Sequence, residues 1–354
     1  MKDKLITLVV LPYTKAYILK MRLEAKKIEC ELENEQLIEG SGTSSVRVRI
    51  LEGDLANALP ELDFLMGLKS DSEETKIKAT KRQILVPVDF SQASKKTVRL
   101  AFNIASHRKA DLVLMHSYVS PVQYAIPYGD IYPFDSTMLV QTREIEQNTS
   151  SEFKNFMTEV SESIGKEKWE DLNVDYILKP GSASEDILAY AKEHHPRLIV
   201  IGRGDSLSGQ GTVGSVTADV MYNAQVPVLI VPEEMEDKNI DEFSNVLYAT
   251  NFDAKDFIAL DKLMNLLRHF DLNLTCAHVG LPDRYGWDLA RLEGMRDILQ
   301  KKYSDKKFEC KLIMGHDVLH ALEDQLIKDE IDILALTTHK RNMISRLFNP
   351  SLAR

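Results

Sequence analysis

No stretch of this 354-residue chain approaches the roughly 20 consecutive apolar residues that span a bilayer, which excludes a membrane-spanning helix. A basic excess is also missing. Lys plus Arg total 44 against 54 Asp plus Glu, a formal charge of −10 with no basic cluster to reverse it, so a nucleic-acid backbone is excluded as the main partner. Cysteine is scarce: Cys30, Cys276 and Cys310 are odd in number and fit no metal-ligand spacing. They read as buried or free thiols in a reducing compartment, which points to the cytoplasm. The opening Lys2, Lys4 and the run from Leu5 to Leu11 look like the start of a secretory signal. However, the run is short, lacks a small-residue cleavage site and stops at Pro12-Tyr13-Thr14-Lys15, so a buried β-strand is expected there.

The length implies two or three domains. A polar, charged segment (Ser70-Asp71-Ser72-Glu73-Glu74) reads as a linker over 70–80, and Pro232-Glu233-Glu234-Met235-Glu236-Asp237 marks a second break. These breaks delimit a domain over 1–69, one over 81–233 and one over 243–354. The first reads strand, helix, strand, loop, strand, helix, a small α+β pattern. Its loop, Glu39-Gly40-Ser41-Gly42-Thr43-Ser44-Ser45, is long, small and polar.

The other two domains repeat each other. Ile84-Leu85-Val86-Pro87-Val88-Asp89-Phe90 returns as Val246-Leu247-Tyr248-Ala249-Thr250-Asn251-Phe252, and Asp111-Leu112-Val113-Leu114-Met115-His116 as Asn273-Leu274-Thr275-Cys276-Ala277-His278, both after 162 residues. A repeat of that length is a duplicated domain, not a solenoid unit. Within each copy short apolar runs alternate with helical stretches, predicting an α/β fold with a doubly wound parallel sheet. The fifth strand of the first copy is expected at Val226-Pro227-Val228-Leu229-Ile230-Val231. When Ser351 is aligned with Ser215, the second copy has no counterpart of residues 218–231. The expectation is a fragment, or a partner covering that side of the sheet.

Ligands of such sheets sit outside the carboxyl ends of the strands, where strand order reverses. Asp89 closes the first strand of the first copy, where its carboxylate can accept from a base amino group or a ribose hydroxyl. Gly202 and Gly204 follow the fourth strand, and Gly214-Ser215 opens the next helix, where orphan N–H groups and the helix dipole favour a phosphate. The glycines let the backbone approach phosphate oxygens, and Ser215 can cap the helix. A plain strand-to-helix turn is the alternative.

On these residues the sequence resembles the universal stress protein family, whose nucleotide-binding members carry Gly-x2-Gly-x9-Gly-Ser after the fourth strand. Gly204 and Gly214 here have the nine intervening residues, but Gly202 and Gly204 are separated by one residue, not two. The resemblance spans roughly 81–354. It implies ATP, with Mg2+, as the ligand: Pro87 and Asp89 facing the adenosine, Ser117 lining the base, and Gly202, Gly204, Gly214, Ser215 and Val216 holding the phosphates. It also implies a homodimer through the Val226–Val231 stretch, or pairing of the two copies within one chain. In the second copy Asn251 replaces the aspartate and Thr337-Thr338-His339-Lys340-Arg341 the glycines, so no ATP is expected there. The first domain resembles a small prokaryotic signal-transducing domain, through Leu11-Pro12-Tyr13 and Leu23-Glu24-Ala25-Lys26-Lys27, and a ferredoxin-like arrangement follows.

Other motifs fail on context. Gly209-x-Gly211-x-x-Gly214 does not directly follow its strand, as a dinucleotide fingerprint must. His316-Asp317-Val318-Leu319-His320 lacks a third zinc ligand. His116 and His278 have no neighbouring nucleophile with an orienting acid and read as structural. No Walker lysine follows the glycines, so no enzyme beyond slow ATP hydrolysis is expected. A regulatory protein that binds a nucleotide and a scaffold that binds none are the two readings left open. An adenylate-forming enzyme would need a His-x-Gly-His or Ser-Gly-Gly signature, and neither is present.

Overall fold

The computed structural model describes residues 5–34, 45–66, 82–120, 136–204, 214–236, 238–252, 254–303, 306 and 308–337. The linker over 70–80, the 39–44 stretch of the polar loop and the basic turn after Thr337 lie outside the described residues. Those described form two compact units, one containing residues of 1–75 and 243–340, the other residues of 76–242.

In the second of these units five parallel strands, β4 (Gln83–Pro87), β5 (Asp111–Tyr118), β6 (Val174–Pro180), β7 (Leu198–Gly202) and β8 (Val228–Val231), assemble in the order β6-β5-β4-β7-β8. Their continuous apolar runs suit strands buried on both faces: Ile84, Leu85, Val86, Leu112 and Leu114 are fully buried. Helices α3 (Gln92–Arg108), α4 (Ser136–Ile164), α5 (Lys166–Glu170), α6 (Ala183–His194) and α7 (Ser215–Asn223) connect them. Between Tyr118 and Val174 the sequence reading names no helix, yet α4 occupies 29 residues there, burying Phe153, Phe156 and Val160. β8 begins at Val228, not at Val226. Pro227 has no N–H for the ladder, and its carbonyl accepts from Ile199 N at 3.0 Å.

The other unit holds a small sheet and a parallel one. β1 (Leu5–Pro12), β2 (Cys30–Asn34) and β3 (Ser45–Leu51) pair antiparallel in the order β1-β3-β2, with α1 (Tyr13–Ala25) and α2 (Leu55–Met66) completing a βαββα unit. The Arg22 and Glu61 side chains join those helices through a buried ion pair of 2.6 Å. β9 (Asn245–Ala249), β10 (Asn273–Gly280), β11 (Phe308–Met314) and β12 (Ile333–Leu336) are parallel in the order β11-β10-β9-β12, with α8 (Ala254–Leu267), α9 (Tyr285–Lys302) and α10 (Val318–Lys328) between them. Helix α1 packs on α8 and α9, and α2 packs on α9.

The two parallel sheets share a topology: in chain order both run third, second, first, fourth, with β8 adding a fifth strand to one. The correspondence between the two sheets extends to single hydrogen bonds. Val88 N donates to Met115 O at 2.8 Å and Thr250 N to Ala277 O at 2.9 Å, each pair 162 residues from its counterpart. Phe90 and Phe252 both adopt a left-handed backbone, with φ of 66° and 60°.

Candidate functional site

Strand order in the five-stranded sheet reverses between β4 and β7, and the sequence-predicted residues gather at the carboxyl ends of those strands. Pro87 ends β4, and Asp89 lies two residues beyond it. The Asp89 carboxylate is already engaged. Its Oδ1 accepts from Ser91 N at 3.0 Å and from Ser94 Oγ, while Ser94 Oγ also accepts from Asp89 N at 3.1 Å. Burial works to raise the Asp89 carboxyl, but the hydrogen bonds from Ser91 and Ser94 outweigh it and hold the group below the usual carboxylate range. The two bonds with given geometry both fall on Oδ1.

The residue after it shapes the rim. A left-handed φ on a phenylalanine costs about 1–2 kcal/mol, and here it turns the Phe90 ring onto His116, 4.2 Å away and stacked, with Phe153 and Phe156 of α4 at its edges. His116 Nδ1 is 2.7 Å from Val88 O, which fixes the ring against the strand end. The sequence reading of His116 as structural agrees with this geometry, and its partner Phe90 carries no sequence signal apart from its recurrence as Phe252.

On the β7 side the glycines play separate parts. Gly202 closes β7, and a Cβ there would stand 3.3 Å from Thr97 Oγ1 of α3, so this glycine lets α3 lie close to the strand. Its carbonyl accepts from Thr217 Oγ1 at 2.8 Å, tying β7 to α7. Gly204 has φ of +73° and faces Gly214, whose N–H donates to Arg203 O at 3.1 Å. A Cβ on Gly214 would approach Arg203 O to 3.3 Å and Gly204 Cα to 3.4 Å. The two glycines thus form a closed neck from which residues 205–213, outside the described set, depart. Ser215 is the first helical residue and exposed; the cap is Gly214, with no side-chain bond. The expectation that Ser215 caps α7 is corrected: it lies one residue inside the helix. The first intrahelical bond is Ala218 N to Gly214 O at 2.9 Å, so the N–H groups of Ser215, Val216 and Thr217 precede the ladder. Val216 packs its side chain against the core and can offer only backbone.

Ser117 lies one strand further out, on β5, and its hydroxyl donates to Asp186 Oδ2 of α6 at 2.8 Å. Asp186 was not legible in the sequence; it stands so close to Gly181 that a Cβ on that glycine would meet Oδ2 at 2.5 Å. Arg203, the residue between the first two glycines, is buried with its guanidinium 3.6 Å from Glu234, against the segment after β8.

The equivalent edge of the four-stranded sheet is built to a different end. Ile333 pairs with Val246 as Leu198 pairs with Ile84, so Thr337 stands at the register of Gly202. Asp256, 162 residues after Ser94, is fully buried. It accepts from Thr250 Oγ1 at 2.9 Å, Asn251 N at 2.8 Å, Thr337 Oγ1 at 2.7 Å and Tyr248 OH at 3.4 Å. Where the five-stranded sheet has a carboxylate at its rim, the four-stranded sheet has one inside. There the threonine in the glycine's place ties the strand ends together. His278 keeps its bond to the Thr250 carbonyl at 2.8 Å and its ring contact with Phe252, and faces the buried Asp288 at 3.6 Å.

Residues 81–232 match the family model described as universal stress protein family. A curated universal stress protein of Mycolicibacterium smegmatis is 29% identical over 154 residues, 43% of this chain, and the chain spans about half (49%) of that relative's length. Among solved structures, a universal stress protein of Archaeoglobus fulgidus superposes with a TM-score of 0.52 at 15% identity, covering 77% of this chain and 96% of its own. A further similar structure is a universal stress protein of Pseudomonas aeruginosa (14% identity, TM-score 0.46, 72% of this chain and 81% of its own). At 15% identity the Archaeoglobus structure speaks to fold alone.

Proposed function

We propose, from the premise that residues 81–232 form a domain of the universal stress protein family, that this domain binds an adenine nucleotide, ATP with Mg2+, and that the chain is a cytoplasmic regulatory protein. The observation that carries the proposal is the neck of Gly204 and Gly214 at the switch point, opening onto the N-terminus of α7. Neither glycine places a Cβ in the mouth. The N–H groups of Ser215 and Val216 with the Ser215 hydroxyl make a donor set suited to phosphate oxygens. The Asp89 carboxylate suits a ribose hydroxyl or a base amino group across the switch point, and Phe90 supplies an apolar rim. Bound ATP supplies a polyanion whose presence can be read by a partner or by a second chain docked on the β8 edge. No lysine follows the glycines in sequence, so turnover is at most slow.

A scaffold that binds no nucleotide is the second reading. The Asp89 Oδ1 bonds to its own loop favour it, because a carboxylate can be kept at this place to order the turn before α3. Native mass spectrometry of the purified protein, followed by calorimetric titration with ATP, separates the two. One nucleotide per chain, lost in a Ser215→Ala, Asp89→Ala double variant that still melts cooperatively, supports the first reading. Absence of binding to folded protein leaves the scaffold.

A further inference from the structure

Two of the three cysteines meet in the four-stranded sheet. Cys276 of β10 and Cys310 of β11 are direct register partners on adjacent parallel strands, so their side chains leave the sheet on one face at one height. Neighbouring strands lie about 4.7–4.9 Å apart, within the roughly 4.4–6.8 Å between Cα atoms that a disulfide spans. Ala277, Val279 and Ile313 belong to the opposite face, where they pack with Leu322 and Val318 of α10. The cysteines are therefore on the side that α9 covers.

The two thiols share a hydrogen bond that makes them unequal. That bond raises the Cys276 thiol, with burial adding to the rise, and lowers the Cys310 thiol, where burial opposes the bond and Arg296 of α9 assists it. Cys276 is fully buried, whereas Cys310 is half-buried and open to a small reagent. Cys30, in the small antiparallel sheet, provides a contrast: burial pushes its thiol up to about 11, which keeps it protonated and unreactive.

We propose that Cys276 and Cys310 are a redox site that closes to an intramolecular disulfide on exposure to hydroperoxides, Cys310 attacking and Cys276 resolving. The Cys310 thiolate attacks one peroxide oxygen; the O–O bond breaks, the departing alkoxide or hydroxide takes up a proton, and Cys310 becomes a sulfenic acid. The Cys276 sulfur then attacks the Cys310 sulfur, the S–S bond forms, and the S–O bond breaks. The hydroxide so released leaves as water with the Cys276 proton. Two thiols and one hydroperoxide yield one disulfide, one alcohol (or water) and one water, and a dithiol reductant reverses the change. Transient disulfides of this kind are the ones a reducing compartment tolerates. The pair lies beneath α9, against which α1 and α2 of the N-terminal domain pack, so oxidation acts one helix away from that domain.

The test treats the full chain with a small molar excess of hydrogen peroxide, then alkylates it in denaturant and maps the peptides by mass spectrometry. The expected result is a loss of two hydrogens in a peptide linking Cys276 to Cys310, with Cys30 fully alkylated and dithiothreitol restoring both thiols. In Cys276→Ser the reaction stops at a Cys310 sulfenic acid that dimedone traps. Complete alkylation of Cys276 and Cys310 after peroxide, a bridge to Cys30, or a bridge between two chains overturns the proposal. The wild-type measurement decides even where a variant fails to fold.

Discussion

Gly204 and Asp89 face the same mouth and are sensitive to change for different reasons. Gly204 sits at φ of +73°, a conformation an L side chain adopts at a cost of about 1–2 kcal/mol. Gly204→Ala is expected to destabilise the protein by that amount in chemical denaturation and to weaken ATP binding at least tenfold in calorimetry, because the neck must reopen. Loss of stability with unchanged affinity would show that the neck has no part in binding. For Asp89 the sign follows from its environment. Its carboxyl is held below the ordinary 3.8 by bonds from Ser91 and Ser94 despite burial, so its contribution to stability is present above that pH and lost as pH falls through the lower, folded value. Melting temperatures of wild type and Asp89→Asn are expected to differ at neutral pH and to converge below about pH 4. A constant difference across the range would assign the effect to shape instead of charge.

At the scale of elements, the four-stranded sheet holds its carboxyl edge together through Asp256. A buried carboxylate with donors from the β9–α8 loop and from Thr337 is costly to orphan. Asp256→Ala is expected to lose about 3 kcal/mol and Thr337→Val about 1 kcal/mol, with a favourable coupling in the double-mutant cycle. Additive losses would mean that the Thr337 bond contributes nothing. The sequence reading could see that Asn251 and Thr337 depart from the first copy. It could not see Asp256, because the exchange of Ser94 for Asp256 and Asp89 for Asn251 preserves a bond only in three dimensions. Strands were legible because both sheets bury unbroken apolar runs, and a parallel, doubly wound arrangement followed from the repeated strand and helix pattern, whereas the order of the strands was not read. Helix α4 did carry a signal, Phe153, Phe156 and Val160 at the i, i+3, i+7 spacing of one buried helix face, which the sequence reading did not use. That Gly202, Gly204 and Gly214 gather at one strand edge was legible from spacing, but their separate packing roles were not. That Gly202 serves helix packing against Thr97 while Gly204 and Gly214 form the neck depends on contacts between elements far apart in sequence.

At the scale of the whole chain, the two compact units have separate cores, one holding the glycine neck and the other a sheet edge closed by Asp256 and Thr337. A ligand that binds only the native state adds about 2.7 kcal/mol at a hundredfold excess over its Kd. That increment belongs to the unit containing the site. Differential scanning calorimetry is therefore expected to resolve two transitions, of which saturating ATP raises one and leaves the other in place. A protein limited to residues 76–242 should reproduce the responsive transition with the same affinity. If ATP moved both transitions equally, the increment would not belong to one unit alone, and the assignment of the site to residues 76–242 would fail. If ATP moved only the transition absent from the 76–242 protein, the nucleotide site would lie with the β9–β12 sheet, and the donor set at Ser215 would have to be abandoned. The arrangement of hydrogen bonds favours neither exception, because in the described residues the carboxyl edge of that sheet is already satisfied from within.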